Sequence, residues 1–311
     1  MTETEPTLWS LLLGTISLRP YVFIFLAVYL IMNTLTFGLL QTLGFTIGGY
    51  IIVFLSEYSS TRIGFPYGFY YYLDTTRQQE LWISNVPLMD SLSFTFLASA
   101  SYLTALFLCA PLWRPRGDLQ IVDTRAIRRS SAVLVLAVML FVLIDIVIDP
   151  VALRGSRWFL GQIYGYYETG VYFGVPLANF LGWAIVGIAL ITWHRFLDGV
   201  WWARGRRDWG MYRVPYRGLL GPLLYLGVYG FNVTMTFVIG EYTLGVVDLF
   251  LLAPLLIYAW TQVHRPTNQA TMADFQAHCR DYPTSPLRRF LTTETHSTLA
   301  ERHRPKPPFM S

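Results

Sequence analysis

The sequence predicts an all-α, polytopic integral membrane protein with about seven transmembrane helices and a candidate internal helix-loop-helix repeat. Three observations carry this expectation. Of the 311 residues, 54% are hydrophobic and only 14% charged, against about 25% charged in an ordinary soluble domain. Seven stretches reach the roughly 20 mostly apolar residues that a spanning helix needs. The basic residues are sorted among the intervening loops rather than spread evenly along the chain.

The elements follow in order. Residues 8–18 are apolar but too short to span, so they read as an interfacial or re-entrant segment. The N-terminus has no basic region and no small-residue cleavage site, so no removable signal peptide is expected. The spans are 20–40, 43–59, 88–111, 131–150, 175–194, 217–239 and 242–262. The second is short and carries Gly44, Gly48 and Gly49, small residues that let helices approach closely in lipid. Residues 263–311 are polar and read as a largely disordered tail with a short helix near 270–280. Three regions result: 1–19 as an N-terminal interfacial segment, 20–262 as the transmembrane domain and 263–311 as a cytoplasmic tail.

Orientation comes from the positions of Arg and Lys. With seven spans, 18 of the 23 basic residues fall after spans three, five and seven, and 5 fall on the other side. This places the N-terminus outside and the C-terminus in the cytoplasm of a cell-membrane protein. The net charge of +4 thus reads as topology and contact with anionic lipid. No nucleic-acid partner is expected, because no soluble fold remains to carry one. Cys109 and Cys279, one in an apolar segment and one in the tail, are not expected to pair.

Two segments resemble one another. One runs from Glu57 through GFPYGFYYYLD to VPLMDSLSF; the other runs from Asp149 through GQIYGYYETGVYFG to VPLANFLGW. In each, an acid ends an outgoing helix, a Gly/Tyr-rich loop follows, and Val-Pro-Leu opens the returning helix. The alignment sets Asp90 opposite Asn179 and Phe94 opposite Trp183.

The chemistry-bearing candidates are acids. Glu57, Asp90, Asp145, Asp149, Glu241 and Asp248 lie in or beside spans, and no Arg or Lys lies deep in any span. Acids inside a bilayer are costly and mark function by default. All but Asp248 map to the outer halves of their helices, and Glu168 joins from an outer loop. Asp145 and Asp149 are four residues apart, on one helix face. A carboxylic acid kept neutral in an apolar pocket can donate a proton, while an ionised one in a more polar spot can serve as a base. Tyr67, Tyr70, Tyr71, Tyr72, Trp82, Trp158, Tyr164, Tyr166, Tyr167, Tyr172 and Trp183 supply aromatic faces that attract a cation and offer flat walls to a polyene. Glu241 and Asp248 also read as a water-facing turn residue and a helix-packing residue. His-rich boxes, HExxH, Cys/His clusters, GxGxxG and P-loops are missing, so no metal site and no cofactor are expected. His194 reads as a lone interfacial residue.

The run from Glu57 through Gly64-Phe65-Pro66-Tyr67-Gly68-Phe69-Tyr70-Tyr71 resembles a hallmark of the CruF-type carotenoid hydratases. So does Asp149-Pro150 followed by Trp158, Tyr172-Phe173-Gly174-Val175-Pro176, Asn179 and Gly182-Trp183. That family includes the gamma-carotene 1',2'-hydratases and the bisanhydrobacterioruberin hydratases. The resemblance covers about residues 20–262. It implies a hydro-lyase that adds water, without a cofactor, to a terminal psi-end double bond of a carotenoid. Its partners are the carotenoid substrate, water, membrane lipid and other carotenoid biosynthesis enzymes. Glu57 or Asp149, with Asp145 equally eligible, is expected as proton donor, and Asp90 with Asn179 as water-positioning groups. The rivals are a carotenoid cyclase working through the same carbocation and a proton-coupled transporter.

Overall fold

A computed structural model describes residues 6–205 and 214–288. The last residues of the tail, and Arg206, Arg207 and Arg213 of a basic loop, lie outside the described residues. Ten helices are described: α1 (Leu8–Leu18), α2 (Pro20–Phe37), α3 (Leu39–Ile63), α4 (Leu88–Cys109), α5 (Arg125–Arg128), α6 (Ser131–Ala152), α7 (Leu177–Ala203), α8 (Leu220–Val238), α9 (Tyr242–His264) and α10 (Met272–Asp281). Six short strands lie in the loops: β1 (Tyr70–Tyr72), β2 (Trp82–Ile83), β3 (Val86–Pro87), β4 (Leu112–Trp113), β5 (Gln120–Ile121) and β6 (Tyr164–Tyr166). Seven of the described helices are long and apolar enough to cross a membrane, and they match the expected spans. The protein is an all-α polytopic membrane protein.

Local chemistry sets the helix ends. Pro20 opens α2 in the first turn, where its missing N–H costs nothing. Pro87 and Pro176, both extended, cap α4 and α7, so the two Val-Pro-Leu motifs perform one task. Ser130 accepts the Val133 N–H at the start of α6.

The centre of the bundle is α4. It is buried along nearly its whole length, and α2, α3, α6, α7 and α8 pack around it. Its Ser, Thr and Ala residues permit that close approach, since small residues let neighbouring helices come near in lipid. Ser99 donates to Asn33 of α2 at 2.8 Å. The glycines of α3 serve the same end: a Cβ on Gly48 would lie 2.3 Å from Nε1 of Trp193 on α7. By contrast, α9 packs mainly on α8 and leaves most of its surface outward.

The two halves of the sequence repeat meet in space. Strand β1 pairs antiparallel with β6, with Tyr70 opposite Tyr166 and Tyr72 opposite Tyr164. Phe94 and Trp183, equivalent in the repeat, stack at 4.2 Å between centroids.

Three findings sharpen the sequence reading. First, α1 is clamped to the loop before α4: Leu81 N–H donates to the buried Thr15 hydroxyl at 2.8 Å. Second, His194 is fully buried rather than interfacial, enclosed by the rings of Phe37, Phe45 and Tyr102. Third, the described part of the tail is ordered and docks at the basic end. There His278 Nε2 meets Ser285 Oγ at 2.7 Å and Asp281 accepts the Arg125 N–H at 2.8 Å. Arg128 bridges Asp123 and Asp198, all buried. Burial alone would raise the Asp123 carboxyl, but Arg128 and His278 beside it hold it below the usual carboxylate range. Cys109 and Cys279 are both free.

Candidate active site

At the end of the bundle opposite the docked tail, a half-open cavity of about 120 Å³ lies among α2, α3, α4, α6, α7 and α8 under the β1–β6 ribbon. Glu57, Asp90, Asp149, Asn179, Tyr67, Tyr70, Tyr72, Trp158 and Trp183 all line it. The repeat explains the convergence. Glu57 and Asp149 sit near the ends of outgoing helices, and Asp90 and Asn179 sit in the first turns of returning ones. Close packing of the two units turns all four toward the same space.

Two acid groups occupy the cavity wall. In the first, Ser91 donates to Glu57, which is 2% exposed. Tyr72 donates to Asp90 at 2.6 Å, and Tyr70 donates to Tyr72 at 3.3 Å. In the second, Asp149 accepts from Tyr164 at 2.7 Å, Tyr166 at 2.6 Å and Asn179 at 2.8 Å. The same Asn179 amide nitrogen donates to Asp145 at 2.9 Å. Asp145 does not itself line the cavity; it shares the Asn179 amide with Asp149 and leaves its other oxygen without a hydrogen-bond partner among the described residues. Burial and the adjacent carboxyl groups hold the phenols of Tyr72, Tyr164 and Tyr166 well above the ordinary tyrosine range. They therefore remain donors at neutral pH.

The apolar wall is aromatic. Trp183 lies between Phe94, at 4.2 Å, and Phe141, at 4.7 Å, and Tyr67 meets Phe94 at 6.2 Å. Gly182 is required for this: a Cβ there would lie 2.7 Å from the backbone of Tyr67. The Gly-Trp pair thus lets the 65–68 loop press against α7 while Trp183 faces the cavity. A cation generated beside these faces would be stabilised by their quadrupoles.

The structure does not bring every candidate together. Strand alternation points Tyr70 and Tyr72 inward and Tyr71 outward, where Tyr71 packs on Tyr167 and is 37% exposed. Tyr172 lies away from the cavity against Phe173 and Phe180, near Asp248. Burial and that carboxyl push the Tyr172 phenol up to about 12. Asp248 itself is buried between α8 and α9, where its backbone carbonyl accepts from Tyr229. Glu241 is tied to Arg154, at 3.0 Å, and to Arg157. Glu168 is exposed.

Ser91, which holds Glu57, escaped the sequence reading altogether. Tyr164 and Tyr166 read in the sequence as outer-loop aromatics, and the structure adds that their hydroxyls hold Asp149. The Tyr-Gly-Tyr spacing, matched against Tyr70-Tyr71-Tyr72, is the signal for that role. Tyr21 and Phe25 of α2 and Val228 and Asn232 of α8 complete the cavity. A buried ion pair, Arg19–Glu80 at 3.3 Å, lies nearby, with Arg19 in electrostatic reach of Asp90 and Tyr21. A cation is thus present at this end, although none lies deep in a span.

Compared with known proteins, residues 12–253 match a family model described as carotenoid biosynthesis protein. No curated protein and no solved structure matches the chain closely enough for comparison.

Proposed function

The chain belongs to the carotenoid biosynthesis protein family, and on that premise we propose that it is a hydro-lyase adding water to a terminal psi-end double bond of a carotenoid. The observation that carries this reading is the mixed wall of one small cavity. Glu57, Asp90, Asp149 and Asn179, all able to bind water or a proton, face the same space as Trp183 and Phe94. A cyclase would protonate the same bond but must exclude water from the cation. A wall this rich in carboxyl and amide groups favours capture by water.

The proposed steps balance. Glu57, the buried acid that the Ser91 hydroxyl holds in place, gives its proton to the less substituted alkene carbon. The double bond's electron pair forms the new C–H bond, and a tertiary cation remains beside Trp183 and Phe94. Water held by Asp90 and Asn179 attacks the cationic carbon and passes a proton to Asp149. Three donors stabilise the negative charge on Asp149, which suits it to a base. Return of one proton through the acid cluster to Glu57 resets the site. The net change is addition of one water, with no electron acceptor.

The sorting of basic residues supports a site in the outer half of the cell membrane, with the docked tail on the cytoplasmic side. The test is expression in a lycopene-producing bacterial host with mass analysis of the pigment. Gain of one water at an acyclic end supports the hydratase. A beta-ionone ring supports the cyclase instead, and unchanged pigment with protein present in the membrane overturns both.

A further inference from the structure

We propose that the seam between α2 and α8 is a lateral opening through which the conjugated chain of the carotenoid runs into the bilayer while its end group occupies the cavity. The identity of the occupant rests on the hydratase reading; the opening rests on the geometry. The cavity is about 120 Å³. A cavity of roughly 150 Å³ takes a benzene-sized group, and whole drug-sized ligands need about 300–1,000 Å³. One branched isoprenoid end and a water fill this space, so the rest of a long polyene must lie outside it.

The walls say which way it leaves. The acids come from α3, α4 and α6, and the β1–β6 ribbon closes the top. The facing wall is built by α2 and α8 and descends along α4 from Asp90 to Phe96 and Leu97. At about 1.5 Å per residue, that is on the order of 10 Å toward the middle of the span. Along the seam runs a file of rings. Phe96 meets Phe25 at 6.1 Å, Phe25 meets Phe231 at 5.9 Å, and Phe231 stacks on Tyr21 at 4.9 Å. Such rings offer a flat apolar track to a flat conjugated chain. Beside it, Gly227 and Gly230 face outward from α8. A Cβ on Gly230 would meet nothing within 4 Å, and one on Gly227 would meet only the Phe25 ring at 3.9 Å. The glycines thus leave a trough on the bilayer face of α8, beside the aromatic track and next to Phe25, which itself lines the cavity.

The test places a photoreactive benzoylphenylalanine at Phe231 in the full chain, in membranes of the lycopene-producing host. The same group at Phe250, 73% exposed on α9, reports general contact with dissolved pigment. After illumination, the expected result is a carotenoid adduct at position 231 well above that at 250. Equal capture at both positions, or only lipid acyl adducts at 231, overturns the opening. A second arm fills the trough. Gly227→Trp should abolish most of the hydrated product at unchanged protein level. Full activity in Gly227→Trp overturns the proposal. Capture at 231 without any hydration by the wild-type chain would sink the hydratase reading and leave the opening standing. Hydration without preferential capture would do the reverse.

Discussion

Arg19 and Glu80 offer a quantitative test of how this end of the bundle is built. The pair is 1% and 0% exposed, with Nη2 3.3 Å from Oε1. Thr76 also donates to Glu80, yet Arg19 Nε and Nη1 and Glu80 Oε2 meet no partner among the described residues. Removing one member strands the other as a buried charge, which costs about 3–5 kcal/mol. Replacing both with leucine removes the charges together with the three orphan atoms. Each such atom carries a desolvation penalty of about 1–3 kcal/mol. Glu80→Leu and Arg19→Leu should therefore each destabilise strongly, and the double variant should return to wild-type stability or exceed it. Thermal or denaturant unfolding of the four proteins in one detergent closes the cycle. Additive single effects would refute the claim that the two side chains face each other in a dry site. The double variant should also hydrate carotenoid poorly despite its recovered stability, because Asp90 loses a cation within electrostatic reach.

Three further outcomes are expected. Glu57→Gln keeps shape and hydrogen bonding to Ser91 but removes the proton, so hydrated pigment should fall about a hundredfold to ten-thousandfold, the usual worth of a general acid; wild-type yield would remove Glu57 from the mechanism. Tyr72→Phe deletes the 2.6 Å bond to Asp90 and should cost about ten- to a hundredfold in turnover, as hydrogen bonds to charged groups do. Tyr71→Phe, altering a side chain that points outward, should change nothing, and equal losses in the two variants would show that the strand register is wrong. The docked tail should respond to acid through Asp123. Its folded value lies below the unfolded carboxylate's, so its contribution is complete above about pH 3.9 and is lost as pH falls through the folded value. Protease protection of residues 272–288 should then begin to weaken below about pH 4 in the wild type and fall progressively with further acid, and already be weakened at neutral pH in Asp123→Asn, with identical acid curves for the two proteins counting against the clasp.

Hydropathy made the spans legible, because a helix in lipid must satisfy its own backbone and cover it with apolar side chains. The acids were legible for the complementary reason, that a carboxyl group in such a segment is expensive and needs a purpose. The repeat was legible in Val-Pro-Leu and in the paired acids. What escaped was whatever depends on neighbours distant in sequence. Arg19 stands at a helix start, where a basic residue reads as a topology signal; only the fold back of Glu80 buries it. Phe25 and Phe231 carry no local signal that separates them from any other ring in an apolar span. Tyr71 was grouped with its neighbours because the two-residue alternation of a three-residue strand is invisible without its partner strand. The tail reads as largely disordered with a short helix near 270–280; α10 is that helix, but its docking through Phe275 and Leu287 on Val122 is a contact across more than a hundred positions and leaves no local signal.

The exchange of Asp90 for Asn179 between the two repeat units is where the symmetry is spent on chemistry. A duplicated helix-loop-helix would bring an acid from each returning helix to the cavity, adding a second acceptor to walls already made of acceptors. Asp145 and Asp149 both lie within hydrogen-bond reach of one amide nitrogen, and two carboxyl groups that close hold together only by sharing a proton or a donor. An amide supplies what a third carboxylate could not: the Asn179 nitrogen has two hydrogens, one directed to Asp145 at 2.9 Å and one to Asp149 at 2.8 Å. On the other unit, Asp90 remains an acid and is served by a tyrosine hydroxyl. The donors are therefore distributed unevenly, with three on Asp149, one from Tyr72 on Asp90 and the Ser91 hydroxyl on Glu57. Negative charge is best supported where the donors are densest, and a transferable proton is best kept where they are sparse. Under the proposed hydratase reading, two nearly equivalent halves would thus provide, within one cavity, an acid to start the carbocation and a base to finish the addition of water to it.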